Sequence, residues 1–316
     1  MTNEIDLADP QLRGDADPVY LYERSADYIP RVAAVHDLCG YGKCSLGVAI
    51  PVLSAAGCDV CPVPTGLFSS HTAFPGWYMH DTTDILRDYL DAWRGIDVQI
   101  DAVYSGFLGA PEQVEVIRSL YEQFPQAIRM VDPVMADHGQ VYPTYTPELC
   151  AAMADLAGDA DILTPNLTEA TIILGEPIGD EWAGADISDA EAERLVRALL
   201  ARGAKHVILK GIQREGELNE QGKPVIRNYV GSTACSQIVE VQNEYLPYML
   251  HGTGDVYASC VLAAVMAGRS LVDAAAFAGD FVHDAMLVSA KQPHFRERGV
   301  SFELILGQIT DLLQAR

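Results

Sequence analysis

The chain has 316 residues, 49% of them apolar, and a formal net charge of −23. That composition supports one large core or two small ones, and no run approaches the roughly 20 apolar residues of a membrane span. So acidic a chain argues against nucleic-acid or anionic-membrane partners, and a phosphate-bearing ligand would need local positive features such as helix starts, a lysine or Mg²⁺.

Residues 1–30 are polar and acidic, with Pro10 and Pro18 but no basic start and no apolar centre. They read as an extension outside the core, tied to it in part by Tyr20, Tyr22 and Tyr28, and not as a signal peptide. From Arg31 the pattern changes. A strand at 32–35 leads to His36-Asp37, followed by a helix at 44–56 that Gly57 closes. A strand at 58–64 precedes a loop at 65–78 rich in Ser, Gly and aromatic residues. The alternation continues with a helix at 82–93, a strand at 102–104, a helix at 111–124 and a strand at 127–131. A helix at 147–156, a strand at 160–163, helices at 166–174 and 189–201 and a strand at 206–209 follow. Short continuous apolar strands between helices predict an α/β fold. Its mostly parallel central sheet would be covered on both faces, giving three layers, α/β/α. Residues 223–230 and 235–241 alternate loosely around Gly231-Ser232 and predict a β-hairpin. A buried helix opened by the turn at 251–255 and stopped at Gly268, then further helices at 271–290 and 302–313, complete the chain. With no internal repeat or long linker, residues 31–316 read as one domain.

The seven cysteines are odd in number and lie mostly in apolar runs, which fits reduced thiols of a cytoplasmic protein. Cys58 and Cys61 have the spacing of a redox or zinc pair. No second pair accompanies them, and on a strand their side chains would point to opposite faces.

In open parallel sheets, ligands bind beyond the carboxyl ends of the strands. Asp37, Ser105, Asp132, Asn166 and Lys210 all fall at such ends. His251-Gly252-Thr253-Gly254-Asp255 reads as a tight turn opening a buried helix that stops at Gly268. The free amides of that turn form an anion cradle, and Asp255 would take the proton from an attacking hydroxyl. The plainer reading makes Asp255 a partner of the helix dipole. A dinucleotide fingerprint fails because Tyr257 stands in place of the third glycine. Gly40-Tyr41-Gly42-Lys43-Cys44-Ser45 fails as a P-loop, since Asp37 replaces its first glycine and Cys44 its Ser or Thr. Asn166 and Glu169 share a helix face and read equally as a capping box or as ligands. With Asp132 and Asp137 they offer oxygen donors of the kind Mg²⁺ prefers. The stretch 68–77 reads as loop packing, or as an aromatic wall for a small planar ligand.

Together these motifs resemble the ribokinase-like superfamily and, within it, the pyridoxal/pyridoxamine (vitamin B6) kinases. Gly252-Thr253-Gly254-Asp255 matches the anion-hole and base motif. Phe68-Ser69-Ser70-His71-Thr72, with a trailing Trp77, is similar to the family's Phe-Ser-Asn-His-Thr run. Ser105-Gly106-Phe107, Asp132-Pro133-Val134-Met135-Ala136-Asp137 and Thr164-Pro165-Asn166-Leu167-Thr168-Glu169-Ala170 follow in the same order over about residues 31–290. The resemblance implies transfer of the ATP γ-phosphoryl group to the 5′-hydroxymethyl of a B6 vitamer, in vitamin B6 salvage. Asp255 would be the base, and the amides of Gly252, Thr253, Gly254 and Asp255 the anion hole. Asp132, Asp137 and Glu169 would serve Mg²⁺. Asp132, Asn166, Glu169, Lys210, Gly252 and Gly254 would face ATP. Asp37, His71, Thr72 and Phe107 would line the vitamer site. Mg²⁺ with ATP, a monovalent cation and a homodimer are the implied ions and assembly. Ser70, Phe107 and Ala136 depart from the common Asn, Tyr and Gly. Asp37 stands where many B6 kinases carry Ser and where pyrimidine kinases carry Asp, so a hydroxymethylpyrimidine kinase is the alternative. A non-catalytic vitamer-binding protein is the third reading, against which the intact Asp255, Asp132, Asn166 and Glu169 speak.

Overall fold

The computed structural model describes residues 18–178 and 186–314. Its first half runs β1 (Arg31–Cys39), α1 (Leu46–Ala55), β2 (Asp59–Phe68), β3 (Met79–Asp81), α2 (Thr83–Arg94), β4 (Ala102–Ser105), α3 (Gln113–Gln123) and β5 (Ile128–Val131). A two-stranded hairpin, β6 (Ala136–Asp137) and β7 (Gln140–Val141), precedes α4 (Pro147–Leu156), β8 (Ile162–Leu163), α5 (Leu167–Leu174) and α6 (Asp189–Ala201). The rest is β9 (His206–Leu218), β10 (Pro224–Ser232), β11 (Cys235–Glu244), α7 (Thr253–Met266), α8 (Leu271–Ser289), α9 (Phe295–Arg298) and α10 (Leu306–Asp311).

The main sheet has nine strands in the order β11-β10-β9-β8-β5-β4-β1-β2-β3. The strands from β9 to β2 pair in parallel, while β3 at one edge and β10 and β11 at the other are antiparallel. Alternate strand residues face opposite layers. Ala33, Val35, Val103, Val131, Leu163 and Val207 join the core under α2–α6. Val32, Ala34, Tyr104, Met130, Ile162 and Ile208 join the core under α1, α7, α8 and α10. This is why the strands read as continuous apolar runs: both faces are covered. It also brings the carboxyl ends of the parallel strands to one rim, where the site lies.

Helix α7 has every residue from Val256 to Met266 buried, so it runs through the second layer and not along its surface. It ends where Gly268 adopts a left-handed φ of 84° and the Arg269 amide bonds back to Ala264 O at 3.0 Å. The expected helix at 44–56 starts later, at Leu46, because Ser45 turns the chain with a φ of 51°. The expected helix at 302–313 shortens to a 3₁₀ turn at Glu303–Ile305 and α10. The strand expected at 206–209 continues to Leu218 because β10 pairs along it, and the hairpin turn falls at residues 233–234, just beyond Gly231-Ser232.

The extension is less detached than expected. Residues 1–17 lie outside the described residues, but from Pro18 the chain lies on the body. Leu271 N donates to Val19 O at 2.9 Å, Arg24 reaches Gly57 O at 2.9 Å, and Tyr28 OH reaches Asp101 at 3.0 Å. Tyr20 stays exposed. All seven cysteines are free thiols, and Cys58 and Cys61 pack toward opposite layers, as their strand spacing requires. Among the described residues no helix is long and apolar enough to cross a membrane.

Candidate active site

The turn before α7 is built on a residue only glycine can be. Gly252 is the N-cap with φ 84°, and a Cβ there would collide with the carbonyl oxygen of Lys43. No side chain caps this helix start, so its first amides are left for a ligand. Thr253 turns inward instead, its hydroxyl donating to Leu250 O at 3.1 Å, which orders the turn. Gly254 faces open space, with Lys210 Nζ 3.9 Å from where its Cβ would sit.

Asp255 follows in the first helical turn. The residue is partly exposed, yet its Oδ1 is sealed from solvent and has no hydrogen-bond partner. The backbone N–H of Ser45 donates to the carboxylate. Burial, then the charges of Asp132 and Asp37, push its pKa up to about 7, with the Ser45 amide and Lys210 pulling the other way. Asp37 sits at a bulge near the end of β1, where the pairing with β2 slips between His36 and Leu38. It is buried, accepts a hydrogen bond from the Ser45 side chain, and is pushed up to about 6 by burial.

Opposite stands a buried ion pair. Lys210 Nζ lies 2.5 Å from Asp132 Oδ1, which also accepts from Thr164 Oγ1 at 2.9 Å. Burial disfavours the lysine's charge, but Asp132 and Glu169 outweigh it and hold its pKa above the usual value. Asp132 Oδ2 is buried with no partner. A carboxylate oxygen so placed is costly unless something binds it.

The start of α5 is the reverse case. Asn166 and Glu169 form a complete capping box: Asn166 Oδ1 accepts from Glu169 N at 2.9 Å, and Glu169 Oε2 accepts from Asn166 N at 2.8 Å. Asn166 Nδ2 donates to Ala136 O at 2.8 Å. Glu169 is buried and its pKa is raised by that burial. These two residues therefore hold the strand end and the β6–β7 hairpin in place, with Glu169 turned away from solvent. Asp137, on that hairpin, is partly exposed and accepts from His138 N at 2.9 Å. Among the described residues no three His, Cys, Asp or Glu side chains close into a ready metal cage. Asp132, Asp137 and Glu169 are neighbours rather than a preformed ligand set.

The remaining expected residues divide. His71 is buried, its Nε2 2.9 Å from Glu297 O, its ring 4.6 Å from that of His251 and 4.5 Å from that of Phe74. It thus ties the aromatic loop to the turn before α7. Thr72 is exposed on that loop. Phe107 is packed edge-on between Phe68 and Tyr145, ring centres 5.5 and 5.7 Å away, so it stiffens the pocket wall. Ser105 is buried and spends its hydroxyl on Met130 O at 3.4 Å, away from the carboxylates. Lys43 pairs with Glu303, leaving its carbonyl, not its ammonium, as its contribution to the turn.

Sequence reasoning passed over three residues. Ser45 joins Asp37 to Asp255, and its place just before an apolar helical run was the available signal. Thr164 orients Asp132. Tyr142, just after β7, has its phenol pKa raised first by burial and then by the charges of Glu169, Asp137, Asp255 and Asp132, so it keeps its proton far above neutral pH. Only the fold brings these four carboxylates within electrostatic reach of one phenol.

This assembly has known relatives. A family model for phosphomethylpyrimidine kinase matches residues 50–297. The pyridoxal kinase PdxY of Histophilus somni is 31% identical over 259 residues, covering 78% of this chain and 84% of the relative. The chain belongs to the ribokinase-like pyridoxal kinase family. The Pasteurella multocida pyridoxal kinase PdxY is 28% identical over 81% of this chain and 87% of its own length. A Bacteroides thetaiotaomicron structure solved with pyridoxal, and provisionally described as a phosphomethylpyrimidine kinase, superposes with a TM-score of 0.80 at 32% identity, covering 89% of this chain and 96% of that one. The pyridoxal kinase of Lactobacillus plantarum superposes with a TM-score of 0.79 at 27% identity, covering 90% and 98%. The three-layer fold is that of these kinases, and the chain is a phosphotransferase.

Proposed function

We propose that this enzyme transfers the γ-phosphoryl group of ATP to the 5′-hydroxymethyl group of a B6 vitamer, with Asp255 as general base. One observation carries the reading: a buried, unpartnered carboxylate oxygen stands in the first turn of an uncapped helix, beside the Asp132–Lys210 pair. The hydroxyl of the vitamer donates to the Asp255 carboxylate, which accepts its proton as the oxygen attacks phosphorus. A pKa near 7 suits that task, because the group is ionised in a useful fraction at neutral pH yet basic enough to hold the proton. The amides of Thr253, Gly254 and Asp255 receive the charge on the transferring group, and the Lys210 ammonium neutralises the phosphates of the nucleotide. His71 holds the aromatic loop over the vitamer site, Asp37 faces the ring side of that site, and Thr72 reaches the vitamer from the loop.

The residues fit Mg²⁺. Asp132 Oδ2 would hold it through water, with Asp137 as the neighbouring oxygen donor and the capping box of Glu169 holding the strand end beside them. When bound with ATP, the ion supplies further neutralisation of phosphate charge. Asn166 positions Ala136 and the hairpin that carries Asp137. A homodimer working in the cytoplasm, with a monovalent cation beside the nucleotide, completes the proposal.

A second reading has its own support. Asp37 is buried in the site, and the matching family model is that of phosphomethylpyrimidine kinase, so a hydroxymethylpyrimidine is the competing acceptor. ADP formation measured with pyridoxal, pyridoxamine, pyridoxine and hydroxymethylpyrimidine decides. The proposal expects turnover with the pyridines. Turnover confined to hydroxymethylpyrimidine selects the second reading, and no acceptor-dependent ADP at all leaves only a binding protein.

A further inference from the structure

Lys210, the cation of the site, stands at an irregularity of the sheet. Leu209 of β9 pairs with Tyr229 of β10, and Ile212 pairs with Arg227, so β9 sets two residues, Lys210 and Gly211, opposite the single residue Asn228. Such a β-bulge bends its strand and re-aims a side chain. Gly211 takes a left-handed φ of 83°, and Lys210 N donates to Pro165 O at 2.9 Å on the β8 side. From this bulge the Lys210 ammonium reaches Asp132.

The bulge leaves one amide, and a side chain takes it. Gly211 N donates to Asn228 Oδ1 at 3.1 Å. Asn228 Nδ2 donates to Asn243 Oδ1 at 3.3 Å, and Asn243 Nδ2 donates to Ala276 O at 3.2 Å and to Asp280 Oδ1 at 2.9 Å, both on α8. Asn228 and Asn243 are buried, each two residues from a valine of the core under α7 and α8, Val230 and Val241. The relay has one direction. Gly211 N–H can only donate and Ala276 O can only accept, so each amide has a single orientation that satisfies all its bonds. Helix α8 makes room for it with Gly279, where a Cβ would collide with Asn243 Oδ1. A glycine in mid-helix is unfavourable relative to alanine, and the close approach of Asn243 is what requires it here.

We propose that Asn228 and Asn243 are positioning residues for Lys210, and that their amide relay from Gly211 to α8 locks the bulge that aims the ammonium at the nucleotide phosphates. Without the relay the Gly211 amide loses its partner and the bulge can slip by one residue, which turns Lys210 to the other face of the sheet. The role rests on the assignment of Lys210 to the phosphates of ATP.

The test uses the full chain carrying Asn228→Ala. Calorimetric titration should show ATP bound about tenfold more weakly, the scale of one hydrogen bond to a charged group, while pyridoxal binds as in the parent. Asn243→Ala keeps the bond from Gly211 to Asn228 but leaves Asn228 unsupported, so it should act in the same direction and less strongly. A loss of stability alone, measured well below the thermal midpoint, would not separate the two ligands. In a Lys210→Met background Asn228→Ala should change ATP affinity less than twofold, because the group it positions is gone. Hydrogen exchange at the Gly211 amide needs neither the double variant nor a ligand, and it should quicken in Asn228→Ala. Parental ATP affinity in Asn228→Ala, an undiminished effect on top of Lys210→Met, or unchanged exchange at Gly211 overturns the proposal. Vitamer-dependent ADP formation by the parent is scored separately, so failure of the kinase reading is told apart from failure of the relay.

Discussion

Two helix starts face the same rim of the sheet and have opposite fates. At α5 the capping box of Asn166 and Glu169 satisfies the helix with its own side chains. At α7 the N-cap is a glycine with nothing to offer, and the nearest carboxylate keeps one oxygen free. A helix start closed by its own residues is scaffold, whereas one left open beside a buried, unpaired carboxylate is prepared for a ligand. The cost of that preparation is visible in Asp255, whose carboxyl is raised to about 7 mainly by burial.

The sharpest break in this contrast is Asp255→Asn. Turnover should fall by about 10²–10⁴, the range for a lost general base, while ATP binding persists. The stability effect has the opposite sign. A carboxyl raised in the native state favours folding at pH values below its ordinary pKa, and that contribution is lost as pH rises through about 7. Above pH 7 the buried charge works against the fold, so Asp255→Asn should melt about 2–4 °C higher than the parent at pH 8 and lose that advantage near pH 4. Calorimetry at both pH values checks this.

Next in size is Lys210→Met, which leaves Asp132 charged, buried and alone. Stability should drop by about 3–5 kcal/mol, and KM for ATP should rise more than kcat falls. Denaturant titration and steady-state kinetics separate the two effects. Gly252→Ala forces a left-handed residue against Lys43 O and should cost about 1–3 kcal/mol together with turnover. The smallest effect belongs to the closed helix start. Asn166→Ala should lower stability by about 1 kcal/mol through loss of the cap and leave the pH dependence of turnover unchanged. A change in that pH profile would mean that Asn166 does more than hold the scaffold.

Much of this contrast could be read before the fold was seen. Short apolar runs between helices sufficed for the parallel sheet, and the position of Asp132 and Asn166 just past strand ends followed from it, whereas Asp37 and Lys210 lie inside β1 and β9, which run beyond their apolar stretches. The Asn166–Glu169 cap was legible because capping is a local matter of three residues. The Asp132–Lys210 pair was not, since 78 positions separate its members and only the neighbouring seats of β5, β8 and β9 bring them together. Nor could spacing show that His71 would be consumed by contacts with Glu297 and His251, which belong to a distant part of the chain. The helix expected at 302–313 forms only over Leu306–Asp311, with a 3₁₀ turn at Glu303–Ile305 before it.

The claim at the centre is that Asp255 accepts the proton. The most direct test is the pH dependence of kcat/KM for the vitamer in the parent and in Asp255→Asn. The parent should gain activity with rising pH through an apparent pKa near 7, as the carboxyl ionises. The variant should show a low rate without that limb. A variant that keeps both the limb and near-parental turnover would contradict the assignment.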